Sequence, residues 1–410
     1  MKSYDVLIVG AGAAGLMAAG AALERGLSVC LFDKNRQLGR KVRITGKGRC
    51  NVTNNCSVEK AVAACPRGGR FLYGALSTFT PQDTMAFFEG LGVPLKTERG
   101  RRVFPVSDSA HDIADALERW AQGATVVREA VKEVLVEEDR AVGVTTDAGT
   151  YQGRSVILCC GGASYPGTGS NGDGYRLARA LGHSVVTPTP SLVPLVEQGE
   201  WCSRLMGLSL RNCGVQVTAK GKKKPVYQDF GELLFTHFGL SGPTILSASA
   251  HLHPMEPGKY TVHIDLKPAL TEAQLDARLL RELEAHKNKF FANSLEELLP
   301  QKLIPVVVER SGIPGETRCH SVTKEQRRRL LELLKDFSVE IQGFRRIAEA
   351  IVTSGGVSLK EVSPKTMESK LVGGLYFAGE ILDADAYTGG YNLQIAFATG
   401  RCAGSHAGES

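Results

Sequence analysis

The chain has no run of the ~18 consecutive apolar residues that a membrane-crossing helix needs. Its opening residues, Met1-Lys2-Ser3-Tyr4, lack the basic-then-apolar order of a signal peptide. Both absences lead us to expect a cytoplasmic protein that spans no membrane. The ten cysteines include no CxxC pair, so neither a zinc site nor a disulfide framework is expected, and no metal is assigned. Cys159 and Cys160 are neighbours in an apparent strand, where adjacent side chains face opposite ways and pair poorly. Internal repeats and low-complexity tracts are also missing. What remains is an ordinary globular composition, 43% hydrophobic over 410 residues, which excludes global disorder. The length exceeds one core, so two or three domains are expected.

The net charge of +6 comes partly from Lys220-Gly-Lys222-Lys223-Lys224 and Arg327-Arg328-Arg329. The first lies between two strand-like runs, Cys213–Ala219 and Pro225–Phe230, and reads as a solvated hairpin tip. The second lies on a helix started by Thr323 with Gln326 three residues on, a capping box. Solvated faces are the simple reading of both; a phosphate-rich partner is the alternative.

Residues 4–9 form a short apolar run of the kind seen in strands buried on both faces. Gly10-Ala11-Gly12-Ala13-Ala14-Gly15 follows, then an Ala-rich helix ending near Gly26, then a second strand, Val29–Asp33. Further on, Thr80-Pro81 and Ser109 read as helix starts, and Val126–Val127, Val131–Val136, Ala141–Thr146 and Ser155–Cys160 as strands. Segment 192–265 is strand-rich. Segment 271–335 is helical, with capping boxes at Thr271/Gln274, Ser294/Glu297 and Thr323/Gln326. Leu375–Ala378 and Asn392–Arg401 read as a last strand and helix. This order predicts a dinucleotide domain split around an insertion: 1–190 and 347–410 for the split domain, 191–268 with 336–346 for a strand-rich insert, and 269–335 for a helical one.

A GxGxxG pattern alone is weak, but here a strand precedes it, a helix follows, and Asp33 closes the next strand. Gly10 permits the tight turn, Gly12 lets backbone approach a pyrophosphate, and Gly15 permits close helix–strand packing. The helix start offers free N–H groups and partial positive charge to phosphates, and Asp33 is placed to accept from a ribose diol. The position at the start of a long chain, the strand meander and the C-terminal return favour FAD over NAD. Near the other end, Gly374–Glu380 delivers a second Gly-acid pair, and eleven residues after Gly379 comes Gly390, which opens the last helix. A helix start there suits the negative charge that collects on a reduced flavin. Between them, Gly39–Asn54 (GRKVRITGKGRCNVTN) mixes glycines, basic residues and short polar side chains straight after the ribose strand. Such a loop suits a pyrophosphate and the isoalloxazine; a surface turn with incidental charge is the simpler reading.

That loop, Gly161–Tyr175 (GGASYPGTGSNGDGY), Leu234–Pro243 (LFTHFGLSGP) and Gly374–Gln394 (GLYFAGEILDADAYTGGYNLQ) resemble the BaiN/RdsA family of bacterial flavoproteins. The resemblance covers nearly the whole chain. It implies an α/β fold, a split Rossmann-like FAD-binding domain of glutathione-reductase type with an inserted small β-barrel and an inserted helical domain. Together with the fingerprint and the loop, it implies non-covalent FAD held by Gly10, Ala11, Gly12, Ala14, Gly15, Asp33 and Lys34. Lys41, Thr45, Gly46, Arg49, Cys50, Asn51, Val131, Gly161 and Gly162 follow along the chain. Gly379, Glu380, Asp383, Gly389, Gly390, Tyr391, Asn392 and Leu393 complete the set.

The family reduces two unlike substrates, an unsaturated 3-oxo bile acid and a uridine of ribosomal RNA. Both reactions saturate a carbon–carbon double bond conjugated to a carbonyl. The resemblance therefore implies an FAD-dependent reductase that takes electrons from NAD(P)H, passes hydride from flavin N5 to the β-carbon, and protonates the α-carbon. No second GxGxxG occurs, so NAD(P)H is expected as a transient visitor, or another donor reduces the flavin. Candidate catalytic groups are Cys50, a thiol proton donor or a buried filler; His237, facing the flavin or hydrogen-bonded structurally; and Tyr165, a donor to a substrate oxygen or part of a Tyr-Pro-Gly turn. Partners are a small enone or ribosomal RNA, and a monomer is compatible with the chain. An amine oxidase on the same scaffold and a non-catalytic flavin-binding factor are the alternatives of other classes.

Overall fold

The apolar run after Tyr4 becomes a strand, Lys2–Val9, fully buried from Val6 to Ile8, and Val29–Phe32 lies parallel beside it with Val6 opposite Val29. This is a computed structural model, and it describes residues 2–408. The chain divides into two units: one runs up to Ser191 and resumes at Arg346, the other is Leu192–Arg345.

In the first unit the sheet grows outward from that pair. Thr125–Val127 adds parallel beyond Val29–Phe32, and Gly149–Leu158 adds parallel on the other side of Lys2–Val9. Glu133–Glu137, Arg140–Thr146 and Gly149–Leu158 form an antiparallel meander. Where the meander peels away, Leu375–Phe377 takes its place, parallel to Val156–Leu158. That pairing closes the split domain: residues far apart in sequence share one sheet. Because the central parallel strands are covered on both faces, their buried side chains are almost all apolar, with Ser155 opposite Val6 the exception. The Ala-rich helix Ala13–Glu24 lies against the final helix, Tyr391–His406, whose Gly400 and Gly404 leave room for backbone: a Cβ on either would sit 2.3 Å from a carbonyl of Ala14 or Ala18.

The second unit has its own apolar core. Six strands close into a barrel in the order Leu195–Glu197, Gly239–Ser241, Tyr227–Thr236, Ser209–Ala219, Tyr260–Asp265 and Phe337–Phe344. Helices Glu272–Ala285, Ile304–Ser311 and Lys324–Lys335 intervene before the last barrel strand. Residues 220–226 do join two paired strands as a hairpin.

Capping boxes form as expected at Thr271/Gln274 and Thr323/Gln326, and the helix start read at Thr80-Pro81 carries one as well, with Asp83. Ser294 does not start a helix. Its hydroxyl donates back to the Phe291 carbonyl at 2.8 Å and ends a short turn, because Leu295, Leu298 and Leu299 are all buried there and tertiary packing outweighs the local motif. Ser109 does precede a helix, Ala110–Trp120, but its side chain caps nothing; Ser107 bonds Asp112 instead, at 2.5 Å. The predicted strand Ser155–Cys160 stops at Leu158, so Cys159 and Cys160 follow it as free thiols.

Candidate functional site

The glycines of the first turn divide by role. Gly10 has φ +101°, and a Cβ on it would lie 2.5 Å from the Cys159 carbonyl; a Cβ on Gly15 would lie 1.8 Å from the Gly10 carbonyl. Both are dictated by the fold. A Cβ on Gly12 meets nothing within 4 Å, so its bareness serves something other than chain packing. Gly12 is also the N-cap of Ala13–Glu24, and no side chain caps that helix. Open space before uncapped N–H groups is what an anionic pyrophosphate requires. At the end of the second strand Asp33 is half-buried. Its Oδ2 accepts from Ala11 N at 2.8 Å and its Oδ1 from Asn35 N at 2.7 Å. These bonds fix the carboxylate and leave lone pairs for a diol. Lys34 pairs with Asp173 at 2.6 Å, and Val131 is buried just before the meander.

The loop after this strand is strained and braced. Gly46 and Lys47 are successive left-handed residues, and Cys50 has φ +56°. Non-glycine residues in that region cost about 1–3 kcal/mol each and persist where surroundings enforce them. Arg43 provides much of that enforcement. Its side chain, only 7% exposed, reaches Asp115 at 2.7 Å, Glu118 at 2.6 Å, His111 Nδ1 at 3.0 Å and the Leu38 carbonyl at 3.2 Å. Thr45 donates to the Val42 carbonyl at 2.6 Å. Arg49 is spent on protein: Glu98 at 2.5 Å, Asp108 at 2.6 Å, and the face of Phe104 at 4.3 Å. Cys50 has no exposed surface, and burial pushes its thiol up to about 12. By contrast, the buried Oδ1 of Asn51 has no hydrogen-bond partner, the signature of an atom awaiting a ligand donor.

The C-terminal segment ties these pieces together. Glu380 Oε2 holds Lys41 Nζ at 2.6 Å, and Oε1 accepts from Ser164 Oγ and Thr353 N, both at 2.8 Å. Lys41 also reaches Ser164 at 2.8 Å. Gly162 stands where a Cβ would be 2.3 Å from Thr353 Oγ1 and 2.8 Å from Glu380. At Gly379, N donates to Thr399 Oγ1 at 2.9 Å. The final helix starts at Gly390, φ +98°, with no side-chain cap, and a Cβ there would lie 2.4 Å from the Thr53 carbonyl. Asn54 Nδ2 donates to the Gly389 carbonyl at 3.1 Å, and Thr53 Oγ1 to Gln394 Oε1 at 2.7 Å. The start of this helix is therefore locked to the loop 39–54. The Asn392 amide is consumed by the Ala386 backbone, at 2.9 and 2.7 Å. Asp383 pairs with Arg67 at 3.0 Å, yet burial holds its carboxyl above the usual range; burial also pushes the Tyr391 phenol up to about 12. Gly161 and Leu393 are half-buried.

Contacts thus link six segments of the first unit: 10–15 with 33–34 through Asp33 and with 379–383 through Gly379, 39–54 with 161–165 and 379–383 through Lys41, and 39–54 with 389–393 through Asn54. Tyr165 follows Ser164 in the chain; its φ is +52° and the residue is 39% exposed. His237 belongs to the second unit. It lies exposed in the turn between Tyr227–Thr236 and Gly239–Ser241, against the Phe238 ring at 4.9 Å. Arg43, Thr53, Ser164, Thr353 and Gln394 escaped the sequence reading. Gln394 alone carried a signal, as an amide placed among the apolar residues of the last helix.

The fold and its glycine-rich, uncapped helix starts define an FAD-dependent oxidoreductase of the split Rossmann type. The chain belongs to the HI0933-like family, whose Rossmann-domain model matches residues 4–406. It is 32% identical over 410 residues to the 3-dehydro-bile acid delta(4,6)-reductase of Clostridium scindens, covering 98% of both chains. It is likewise 32% identical over 401 residues to the ribosomal RNA dihydrouridine synthase of Escherichia coli K12, covering 97% of this chain and 96% of the relative. Among solved structures, a 3-ketosteroid-delta4-(5alpha)-dehydrogenase from Rhodococcus jostii RHA1 shares the fold, with TM-score 0.56 and 14% identity over 100% of this chain and 97% of the other. Among the described residues, no helix is long and apolar enough to cross a membrane.

Proposed function

We propose that this chain reduces a carbon–carbon double bond conjugated to a carbonyl, with NAD(P)H as the electron source. The observation that carries the reading is the uncapped start of the Tyr391–His406 helix, fixed against the loop by Gly390 on Thr53. Its partial positive charge suits a cofactor that becomes anionic when reduced. Bound FAD supplies hydride transfer in two-electron steps. The chain's own groups do the rest. Gly12 and the bare start of the first helix receive the pyrophosphate, Asp33 the ribose, and Asn51 Oδ1 a donor from the ring system. Lys41, paired with Glu380 and bonded to Ser164, ties the loop 39–54 to the C-terminal segment. Tyr165, held strained and exposed, donates to the substrate carbonyl. Cys50 keeps its proton in the core and braces the loop.

Both names borne by the relatives describe such a double bond, in a bile acid or in a uracil ring. The test has two arms: tandem nucleoside analysis of ribosomal RNA from a deletion strain, and purified protein incubated with a 3-oxo-4,6-diene steroid and NAD(P)H. The reading expects loss of dihydrouridine in the first, or a product with two added hydrogens in the second. Peroxide release from simple amines with neither product would replace it by an amine oxidase. A bound flavin that no donor reduces would replace it by a non-catalytic factor.

A further inference from the structure

We infer that the second unit carries a surface for single-stranded RNA, built on a stacking platform of Phe290 and Arg318 and a separate phosphate-tracking hairpin. Phe290 is large and apolar yet 40% exposed, and the Arg318 guanidinium lies over its ring at 4.3 Å. The pair is firmly held. Residues 290 and 318 face each other in an antiparallel bridge. Phe291 N donates to the Thr317 carbonyl at 2.7 Å, and Cys319 N to the Lys289 carbonyl at 3.1 Å. Arg318 also donates to the Asn288 carbonyl, and His320 Nδ1 to the Lys287 carbonyl at 2.8 Å. The neighbours Phe291 and Cys319 point inward and are buried, so Phe290 and Arg318 are held outward by the alternation of two paired segments. Around them Lys287, Lys289 and His320 are exposed.

An aromatic ring and a guanidinium plane, rigidly presented beside the exposed Lys289 and the Lys287–Glu284 pair, form a platform on which any base stacks while its phosphates meet positive charge. An acidic protein would use the cations but not the stacked ring. A membrane surface would need several apolar side chains, and here one is offered. The hairpin adds Lys220, Lys222, Lys223 and Lys224, all exposed and none in an ion pair among the described residues. Such a cluster binds phosphates without reading sequence.

The inference deepens the reductase reading by choosing its RNA branch, but its test is separate from turnover. Holoprotein is titrated into a fluorescein-labelled, unstructured oligoribonucleotide of mixed sequence, and polarisation is followed over a series of salt concentrations. Phe290→Ala is expected to weaken binding roughly tenfold, the effect of losing one stacked base. Arg318→Ala should do the same, which guards against misfolding of either variant alone. Lys222→Ala with Lys223→Ala should weaken binding equally for all sequences and lower the salt slope by about one for each phosphate that is no longer neutralised. Flavin reduction by NAD(P)H should be unchanged in every variant. Affinities within twofold of the parent in both platform variants, or a parent that fails to bind at near-physiological salt, would overturn the inference. Binding as described without reduction of uridine would instead count against the reductase reading alone.

Discussion

At the scale of single residues, the fingerprint glycines separate what the fold needs from what a ligand needs. Gly15 has no room for a methyl group, whereas a Cβ on Gly12 would meet no described atom within 4 Å. Gly12→Ala should therefore cost less than about 1 kcal/mol of stability, as a modest N-cap change, while retention of FAD falls on the order of tenfold or more. Thermal melting of the apoprotein and flavin absorbance per protein check the two halves; unchanged flavin content would remove the pyrophosphate from that turn. Cys50 offers the second residue-level test. With its thiol buried and pushed up to about 12, Cys50→Ala should keep turnover within about threefold, against the loss of ~10²-fold or more expected for a true proton donor. Tyr165→Phe should instead lower kcat roughly 10²-fold, the cost of losing one donor to a developing oxyanion, with the flavin spectrum intact.

At the scale of elements, the placement of the two uncapped helix starts depends on how closely the helices approach. Gly400 and Gly404, one turn apart on the final helix, let its backbone touch that of the first helix at Ala14 and Ala18. Gly400→Val should cost about 3 kcal/mol through overpacking and release flavin along with stability, read by melting temperature and bound-flavin ratio together. Legibility in the sequence followed the range of the interaction. The helix start at Thr80 and the boxes at Thr271 and Thr323 are local and were readable; Ser294 offered the same kind of letters as the boxes, but the leucines after it are claimed by the core. The first strand, its glycine turn and Asp33 were readable because one short segment contains the whole device. The bracing was not: Arg43 meets Asp115 and Glu118, Thr53 meets Gln394, and Lys41 meets Glu380 only after the chain has folded. The same holds for Arg49 and Asn392, whose side chains serve carboxylates and backbone rather than open space.

At the scale of the whole molecule, the chain leaves its first sheet at Leu158, closes a barrel elsewhere and returns with Leu375–Phe377 beside the strand it left. The split was legible from the order of strand-like and helical segments, whereas closure of the barrel came from the family likeness. Within the first unit, buried His183 ties the segments that precede the returning strand. Its Nε2 lies 2.9 Å from Ser369 Oγ, its ring is 4.8 Å from Phe377, and Nδ1 is 3.3 Å from Glu361 without hydrogen-bond alignment. Burial holds this imidazole below its ordinary 6.5, against the pull of Glu361. The unfolded chain then binds a proton that the folded chain refuses, so this contribution to stability is complete above pH 6.5 and is lost as pH falls through the lower folded value. Melting temperature should decline with acid from about pH 6.5, and His183→Asn should flatten that slope; an equal slope in the variant would assign the effect elsewhere.

The most direct test is anaerobic. Purified holoprotein is reduced with NAD(P)H and mixed, without oxygen, with a uridine-containing ribosomal RNA fragment or a 3-oxo-4,6-diene steroid, while flavin absorbance is followed. Return of the oxidised spectrum, with one saturated product formed per flavin, is the predicted result. A flavin that stays reduced until air is admitted, whatever conjugated substrate is offered, would contradict the account.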